Sequence, residues 1–136
     1  MNAVLVDSNV LLDVFTEDPI WANWSGAALA HAIERSTLLI NPIVYGEVSI
    51  HFATIEELDE VLPTSSFVRE AIPFDAAFLA GKAFLAYRRR AGVKRSPLPD
   101  FLIGAHAAVR DYRLLTRDVA RYRTYFPKLE LIAPTP

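Results

Sequence analysis

Short apolar runs alternate with longer amphipathic segments along most of the chain. The runs are rich in Val, Leu and Ile and are too short for helices, which favours strands. We predict strands over residues 3–6, 38–40, 67–72, 114–116 and 129–132. We predict helices over residues 8–15, 23–35, 42–53, 54–62, 75–91, 99–110 and 119–125. Buried strands separated by helices indicate an α/β fold with a mainly parallel sheet, in one domain over residues 1–136.

Four carboxylates stand where this pattern otherwise predicts buried side chains. Asp7 ends the first apolar run, and Asp118 follows the run at 114–116 with one residue between them. Glu47 and Asp100 lie on the apolar faces of two predicted helices. Because an ionised carboxylate is rarely buried without a partner, four such acids suggest that they share a cation.

The predicted sheet explains how these acids can meet. In an open parallel sheet the functional crevice lies beyond the carboxyl ends of the strands, which is where Asp7 and Asp118 are expected. Because the chain has no cysteine, an all-oxygen site predicts Mg²⁺ or Mn²⁺ as the cation. Three nearby polar residues are expected to orient the carboxylates, namely Ser8, Asn9 and Thr116.

The net charge of −2 hides a division between the two parts of the chain. Residues 1–75 carry 2 basic and 12 acidic side chains, a net −10, whereas residues 76–136 carry 12 basic and 4 acidic, a net +8. A basic surface beside an acidic metal site suits an enzyme that cleaves a polyanion. The residues expected to hold phosphates are Arg88, Arg89, Arg90, Lys94, Arg95, Arg117 and Arg121. The alternative is a solvated helix face with salt bridges to the acidic half.

Composition excludes several other classes of protein. A hydrophobic share of 52% and a charged share of 22% describe a soluble globular domain. Every apolar stretch is shorter than the roughly 20 residues that a membrane span needs. The first residues lead directly into a strand, without the basic and apolar regions of a signal peptide, so we expect a cytoplasmic protein.

Four segments carry a family resemblance. They are Val-Asp-Ser-Asn-Val-Leu-Leu-Asp at 6–13, Tyr-Gly-Glu at 45–47, Pro-Leu-Pro-Asp-Phe-Leu-Ile-Gly-Ala-His-Ala at 97–107 and Leu-Leu-Thr-Arg-Asp at 114–118. In this order, and over essentially the whole chain, they resemble PIN-domain ribonucleases. More narrowly, the sequence is similar to the VapC toxins of bacterial type II toxin–antitoxin modules, and the segment at 121–127 supports this.

The resemblance implies a three-layer α/β/α fold and Mg²⁺- or Mn²⁺-dependent endoribonuclease activity. It assigns the catalytic and metal-binding acids of the family to Asp7, Glu47, Asp100 and Asp118. It implies that the polyanion is a structured RNA, either tRNA or ribosomal RNA, which is cleaved by a metal-activated water. It also implies a homodimer and a cognate antitoxin protein that blocks the site.

Two alternatives remain open on the sequence. One is a catalytically silent RNA- or partner-binding scaffold with the same fold. The other is a haloacid-dehalogenase-type phosphatase, which also begins with a strand followed by Asp. That chemistry needs a second acid two residues after the first, where this chain has Asn9, and a lysine closer to the later acids than Lys94.

Some other side chains have plainer interpretations. We expect Asp13 to pair with an arginine, or to face solvent, rather than to join the acid cluster. Trp21 and Trp24 are interpreted as core or dimer contacts. Tyr87 and Tyr122, which lie near arginines in the sequence, are candidates for base stacking.

Overall fold

The computed structural model describes residues 2–91 and 97–135. Its strands are β1 (Ala3–Val6), β2 (Thr37–Ile40), β3 (Phe67–Arg69), β4 (Arg113–Leu115) and β5 (Leu131–Ile132). Its helices are α1 (Ser8–Phe15), α2 (Ala22–Arg35), α3 (Pro42–Ser49), α4 (Ile55–Val61), α5 (Phe74–Ala91), α6 (Leu98–Arg110) and α7 (Val119–Tyr125). Two of the expected phosphate-binding residues, Lys94 and Arg95, lie outside the described residues. Within the described ranges, every helix is too short or too polar to cross a membrane.

The strands form one parallel sheet in the order β3-β2-β1-β4-β5. β1 pairs with β2 on one side, where Val4 lies opposite Leu38, and with β4 on the other, where Leu5 lies opposite Leu114. The chain therefore builds the sheet outward from β1 in two directions, and the reversal falls between β1 and β4. Ligand crevices in open α/β sheets lie at this switch point. The predicted three-layer α/β/α fold with a parallel central sheet is confirmed.

The central strands are apolar along their length because helices cover both faces of the sheet. Val4, Leu5 and Val6 are fully buried, as are Leu114 and Leu115 in the neighbouring strand. Burying a side chain of this size contributes roughly 1.5–3 kcal/mol relative to leaving it exposed. The two strands are therefore held firmly in the core, and Asp7 follows directly after β1.

Four predicted elements are shorter in the structure, one of which is the helix predicted over 54–62, which spans Ile55–Val61. The helix predicted over 42–53 ends at Ser49, whose hydroxyl donates to the Gly46 carbonyl over 2.6 Å and competes with the helical hydrogen bonds. The strand predicted over 67–72 ends at Arg69, because its partner strand ends at Ile40. The last strand contains only Leu131–Ile132 of the predicted 129–132.

Side-chain caps fix where the helices next to the sheet begin. Asn41 has an extended backbone, and its side-chain oxygen accepts from the N–H of Val44, so α3 starts directly after β2. Thr54 and Glu57 form the predicted capping box of α4. Asp7 is the N-cap of α1 and accepts from the N–H of Ser8 over 2.8 Å. The first site residue is therefore placed by both a strand end and a helix start.

Candidate metal centre

Asp7 is a buried carboxylate that is held by four donors. The hydroxyls of Thr116 and Tyr122 donate to its Oδ2 over 2.8 and 3.0 Å, and Asn9 donates to the same oxygen over 3.4 Å. The N–H of Ser8 reaches its other oxygen. Only 3% of the residue is exposed. An acceptor surrounded by donors is fixed in one orientation inside the protein.

Two further carboxylates converge on Asp7 from different helices. Glu47 lies in α3 and accepts a hydrogen bond of 2.7 Å from the hydroxyl of Ser8. Asp100 lies in the first turn of α6. One oxygen from each of these three acids lies within 4.8 Å of the others. Opposite oxygens around an octahedral Mg²⁺ are about 4 Å apart, so the spacing and the donor type fit a small divalent cation.

Burial and neighbouring negative charges raise the pKa of all three acids in the absence of a cation. Burial raises the pKa of Asp7 from its ordinary value of 3.8 to about 7, opposed by hydrogen bonds from Thr116 and Tyr122 and reinforced by the charges of Asp100 and Glu47. Burial also raises the pKa of Glu47 and that of Asp100. A cluster that is costly to ionise by itself is one that a bound cation stabilises.

Arg121 supplies a positive charge at the edge of this cluster. Its guanidinium pairs with Oδ2 of Asp100 and lies over the ring of Tyr87, 6.0 Å from the ring centre. The pair is partly buried, with 26% of Arg121 and 28% of Asp100 exposed. This internal cation opposes the rise in the pKa of Asp100. The sequence analysis predicted that Arg121 binds phosphate. In the structure its guanidinium is paired with the carboxylate of Asp100.

Asp118 lies beside the cluster without joining it. Among the described residues, the group whose carboxylate oxygens converge contains Asp7, Glu47 and Asp100, and does not include Asp118. Its backbone N–H donates to the hydroxyl of Thr116 over 3.0 Å, and its charge helps to raise the pKa of Asp100. Asp118 therefore acts on the site through its charge in this arrangement.

A buried polar network holds α3 and α6 at a fixed separation. Asn41 uses its oxygen to cap α3, so its amide nitrogen must be the donor to Nδ1 of His106 over 3.1 Å. Since Nδ1 accepts, Nε2 of the same ring donates to Glu70 over 2.8 Å. Tyr112 donates to the other oxygen of Glu70 over 2.8 Å. Glu47 and Asp100 are carried by the two helices that this network joins.

Arg117 is held by a second buried carboxylate. Its guanidinium donates to both oxygens of Asp13, over 2.7 and 2.9 Å, and Ser25 donates to the same acid over 2.7 Å. The expected pairing of Asp13 with an arginine is therefore seen. The guanidinium of Arg117 also lies 5.3 Å from the ring centre of Trp21. Its charge is thus already neutralised inside the protein.

The remaining predicted basic residues lie at the end of α5. Arg88, Arg89 and Arg90 are exposed. The guanidinium of Arg90 lies 5.7 Å from the ring centre of Tyr125. Tyr87, in the same turn, contacts both Tyr125 and Phe101, which lies next to Asp100. The basic end of this helix therefore adjoins the acid cluster.

Tyr122 is the site residue whose role the sequence did not indicate. It was a candidate for base stacking, but only 1% of it is exposed and its hydroxyl is bonded to Asp7. Burial raises its pKa well above the ordinary value, so the group remains a donor. The two residues are 115 positions apart, and no local pattern links them.

Comparisons with known proteins agree with this geometry. The family model of the PIN domain matches residues 4–127. A structure of VapBC2 from Rickettsia felis, bound to a promoter DNA fragment, is similar with a TM-score of 0.69 and 18% identity, over 96% of this chain and 98% of that chain. A toxin–antitoxin complex from Klebsiella pneumoniae gives 0.68 and 22%, over 97% and 98%. VapBC-1 from nontypeable Haemophilus influenzae gives 0.70 and 16%, over 96% and 97%.

These structural likenesses, at low identity, establish the fold. Comparison with the sequences of curated proteins gives no significant match. The family match extends over most of the chain and leaves the haloacid-dehalogenase alternative without support. The chain belongs to the PIN-domain family.

Proposed function

We propose that this protein is a Mg²⁺- or Mn²⁺-dependent endoribonuclease and the toxin of a type II toxin–antitoxin module. The observation that carries the proposal is the convergence of Asp7, Glu47 and Asp100 within 4.8 Å, at the switch point of a PIN-domain sheet. Oxygen ligands of this kind favour a hard divalent cation. A bound cation supplies a water of lowered pKa and stabilises negative charge on the phosphate.

The chain's own residues would prepare the site for this chemistry. Asp7 and Asp100 would hold the cation together with Glu47. Thr116 and Ser8 would fix the carboxylates, through the hydrogen bonds of 2.8 and 2.7 Å to Asp7 and Glu47. Asn9 would support the same arrangement, since it donates to both Asp7 and Thr116. Such outer partners keep the ligands in place before substrate arrives.

Arg121 and Asp118 would influence the site through their charges, and neither would be a firm ligand of the cation. With a cation bound, Arg121 would give up Asp100, and its guanidinium would then bind a substrate phosphate. Asp118 would complete the family's acidic set by strengthening the negative potential around Asp100. Arg88, Arg89 and Arg90 would guide RNA to this edge, together with Lys94 and Arg95.

The toxin assignment rests on the kind of assembly in which similar folds occur. The similar structures from Rickettsia felis and Klebsiella pneumoniae are toxin–antitoxin assemblies. We propose accordingly that this chain forms a homodimer and is inhibited by a cognate antitoxin protein. Its substrate would be tRNA or ribosomal RNA in the cytoplasm.

Cleavage of RNA with a defined cation tests the activity. The wild-type protein should cleave total RNA with Mg²⁺ or Mn²⁺ and lose this activity in EDTA. Asp7→Asn should abolish cleavage and weaken Mn²⁺ binding measured by calorimetry, because the most buried ligand loses its charge. Asp111→Asn is the matched control, since Asp111 is exposed at the end of α6. Full activity in Asp7→Asn would contradict the assignment.

One observation favours a catalytically silent scaffold as the second candidate. The ion pair with Asp100 means that Arg121 already supplies a cation to the cluster. If this charge replaces the metal, the wild-type protein should show no Mn²⁺ binding in calorimetry, while Arg121→Ala should gain it. Tight Mn²⁺ binding by the wild type would exclude this candidate.

A further inference from the structure

A cavity lies near the acid cluster, beyond the carboxyl ends of β4 and β5. It encloses about 540 Å³. Residues from the α1–α2 connection, from the end of β4, from α7 and from the end of β5 line it. They include Trp21, Arg117, Arg123, Leu131 and Pro134. The cavity therefore combines an indole ring, two guanidinium groups and an apolar wall.

The two arginines of the cavity have different electrostatic states. Arg117 is bound through two hydrogen bonds to Asp13 and lies over the Trp21 ring, so it holds that ring in place rather than offering a free charge. Arg123 is exposed, and within the described part of the chain no carboxylate pairs with it. The cavity thus presents a planar stacking surface and one available positive charge.

Short polar contacts connect the cavity to the acid cluster. The backbone N–H of Arg117 donates to Asn9 over 3.4 Å, and Asn9 donates to Asp7 over the same distance. Thr116, which donates to Asp7, also pairs with β5 through its N–H and the carbonyl of Ile132. The cavity therefore begins one strand away from the cluster, and neighbouring strands are about 4.8 Å apart.

We propose that this cavity is a subsite for one nucleotide of single-stranded RNA beside the scissile phosphate. The base would stack on the exposed part of the Trp21 ring, which the guanidinium of Arg117 supports from its other side, and Arg123 would bind a phosphate. This inference rests on the proposed ribonuclease function. An acidic peptide fits less well, because it needs several free cations and the cavity offers one. Trp21, expected in the core or at a dimer contact, thereby acquires a binding role.

Tryptophan fluorescence tests this subsite without depending on cleavage. The chain has 2 tryptophans, so Trp24→Phe leaves Trp21 as the sole reporter and keeps an aromatic ring at position 24. In the background of Asp7→Asn, a single-stranded oligoribonucleotide should quench this fluorescence saturably. Trp21→Ala, with the oligonucleotide labelled instead, should lower its affinity roughly tenfold, as expected for loss of one stacked base.

Two surface arginines provide the matched comparison. Arg123→Ala should weaken oligonucleotide binding several-fold, whereas Arg35→Ala, on exposed α2, should leave it unchanged. RNA cleavage by the wild-type protein without quenching of Trp21 would overturn the subsite and leave the ribonuclease function standing. Equal quenching by a polyglutamate peptide would also overturn it. Quenching by RNA without any cleavage would retain the subsite and reject the ribonuclease function, whereas absence of both would reject the two together.

Discussion

Asp7 is a residue whose burial makes its ionised form costly for the folded protein. It accepts hydrogen bonds from four donors, which favour its ionised form, yet burial and two neighbouring carboxylates raise its pKa to about 7. The hydrogen bonds therefore offset the cost of burial only in part. The remaining cost falls on the metal-free protein, and the proposed cation would relieve it.

A dependence of stability on pH follows from this pKa. Because the unfolded chain has the ordinary value of 3.8, the folded protein holds the Asp7 proton more tightly between that pH and about 7. Its stabilising contribution is full below pH 3.8 and is lost as the pH rises through 7, by about 4 kcal/mol at most. Urea unfolding in EDTA from pH 4.5 to 8 measures this loss.

The comparison with Asp7→Asn isolates this residue from the other titrating groups. The unfolding free energy of the variant minus that of the wild type should rise with pH across this range. Millimolar Mg²⁺ should stabilise the wild type at pH 8 and have little effect on the variant. If the two proteins show parallel pH profiles, Asp7 does not carry the raised pKa.

At the scale of elements, α6 and α7 pack closely enough to exclude a methyl group. A Cβ added at Gly104 would lie 2.8 Å from one ring carbon of Phe126 and 3.0 Å from Tyr122. Glycine is therefore needed at this position for the close approach of the two helices. The same approach brings the Tyr122 hydroxyl to Asp7. Tyr122 therefore contributes both to the packing of α7 on α6 and to the hydrogen bonds of Asp7.

Replacing this glycine should destabilise the fold, while a second glycine provides the control. Gly104→Ala should lower the unfolding free energy by about 1–3 kcal/mol, because the ring of Phe126 must move. Gly81→Ala, at an exposed position of α5 where the new Cβ would meet no atom within 4 Å outside its own helical segment, should raise it by up to about 1 kcal/mol. Urea unfolding of both variants measures these shifts. Equal changes in unfolding free energy for the two variants would mean that the close approach of α6 and α7 does not restrict the side chain at position 104.

The sequence predicts the elements of this molecule better than their contacts. Runs of apolar residues and capping signals place Asp7 at a strand end and Asp100 at a helix start, and this is enough to bring them together. The lengths of α3 and β3 depend on a serine hydroxyl and on where a partner strand ends, which local patterns do not include. The same holds for the pairing of Arg121 with Asp100 and for the distance of Asp118 from the cluster.

On the scale of the whole molecule, folding mixes the two oppositely charged halves of the chain. Arg117 pairs with Asp13, and Arg110 pairs with Glu70. The basic end of α5, by contrast, remains exposed next to the acid cluster. The separation of charge between the two parts of the sequence therefore persists at this place, where a cationic surface lies beside the acid cluster. This arrangement suits a polyanion that must be held while one of its phosphates meets a cation.

The salt dependence of RNA binding can distinguish this role from a structural one. Arginines in the last turn stabilise a helix through its dipole whether or not RNA binds. The logarithm of the RNA association constant falls linearly with the logarithm of the salt concentration. If Arg88, Arg89 and Arg90 each contact a phosphate, replacing all three with Ala should make this slope less steep by about 2. Binding of a single-stranded oligoribonucleotide to the inactive Asp7→Asn background measures it, with Arg35→Ala as the control that keeps the slope. An unchanged slope in the triple variant would assign these arginines to the helix alone and leave RNA attraction to other residues.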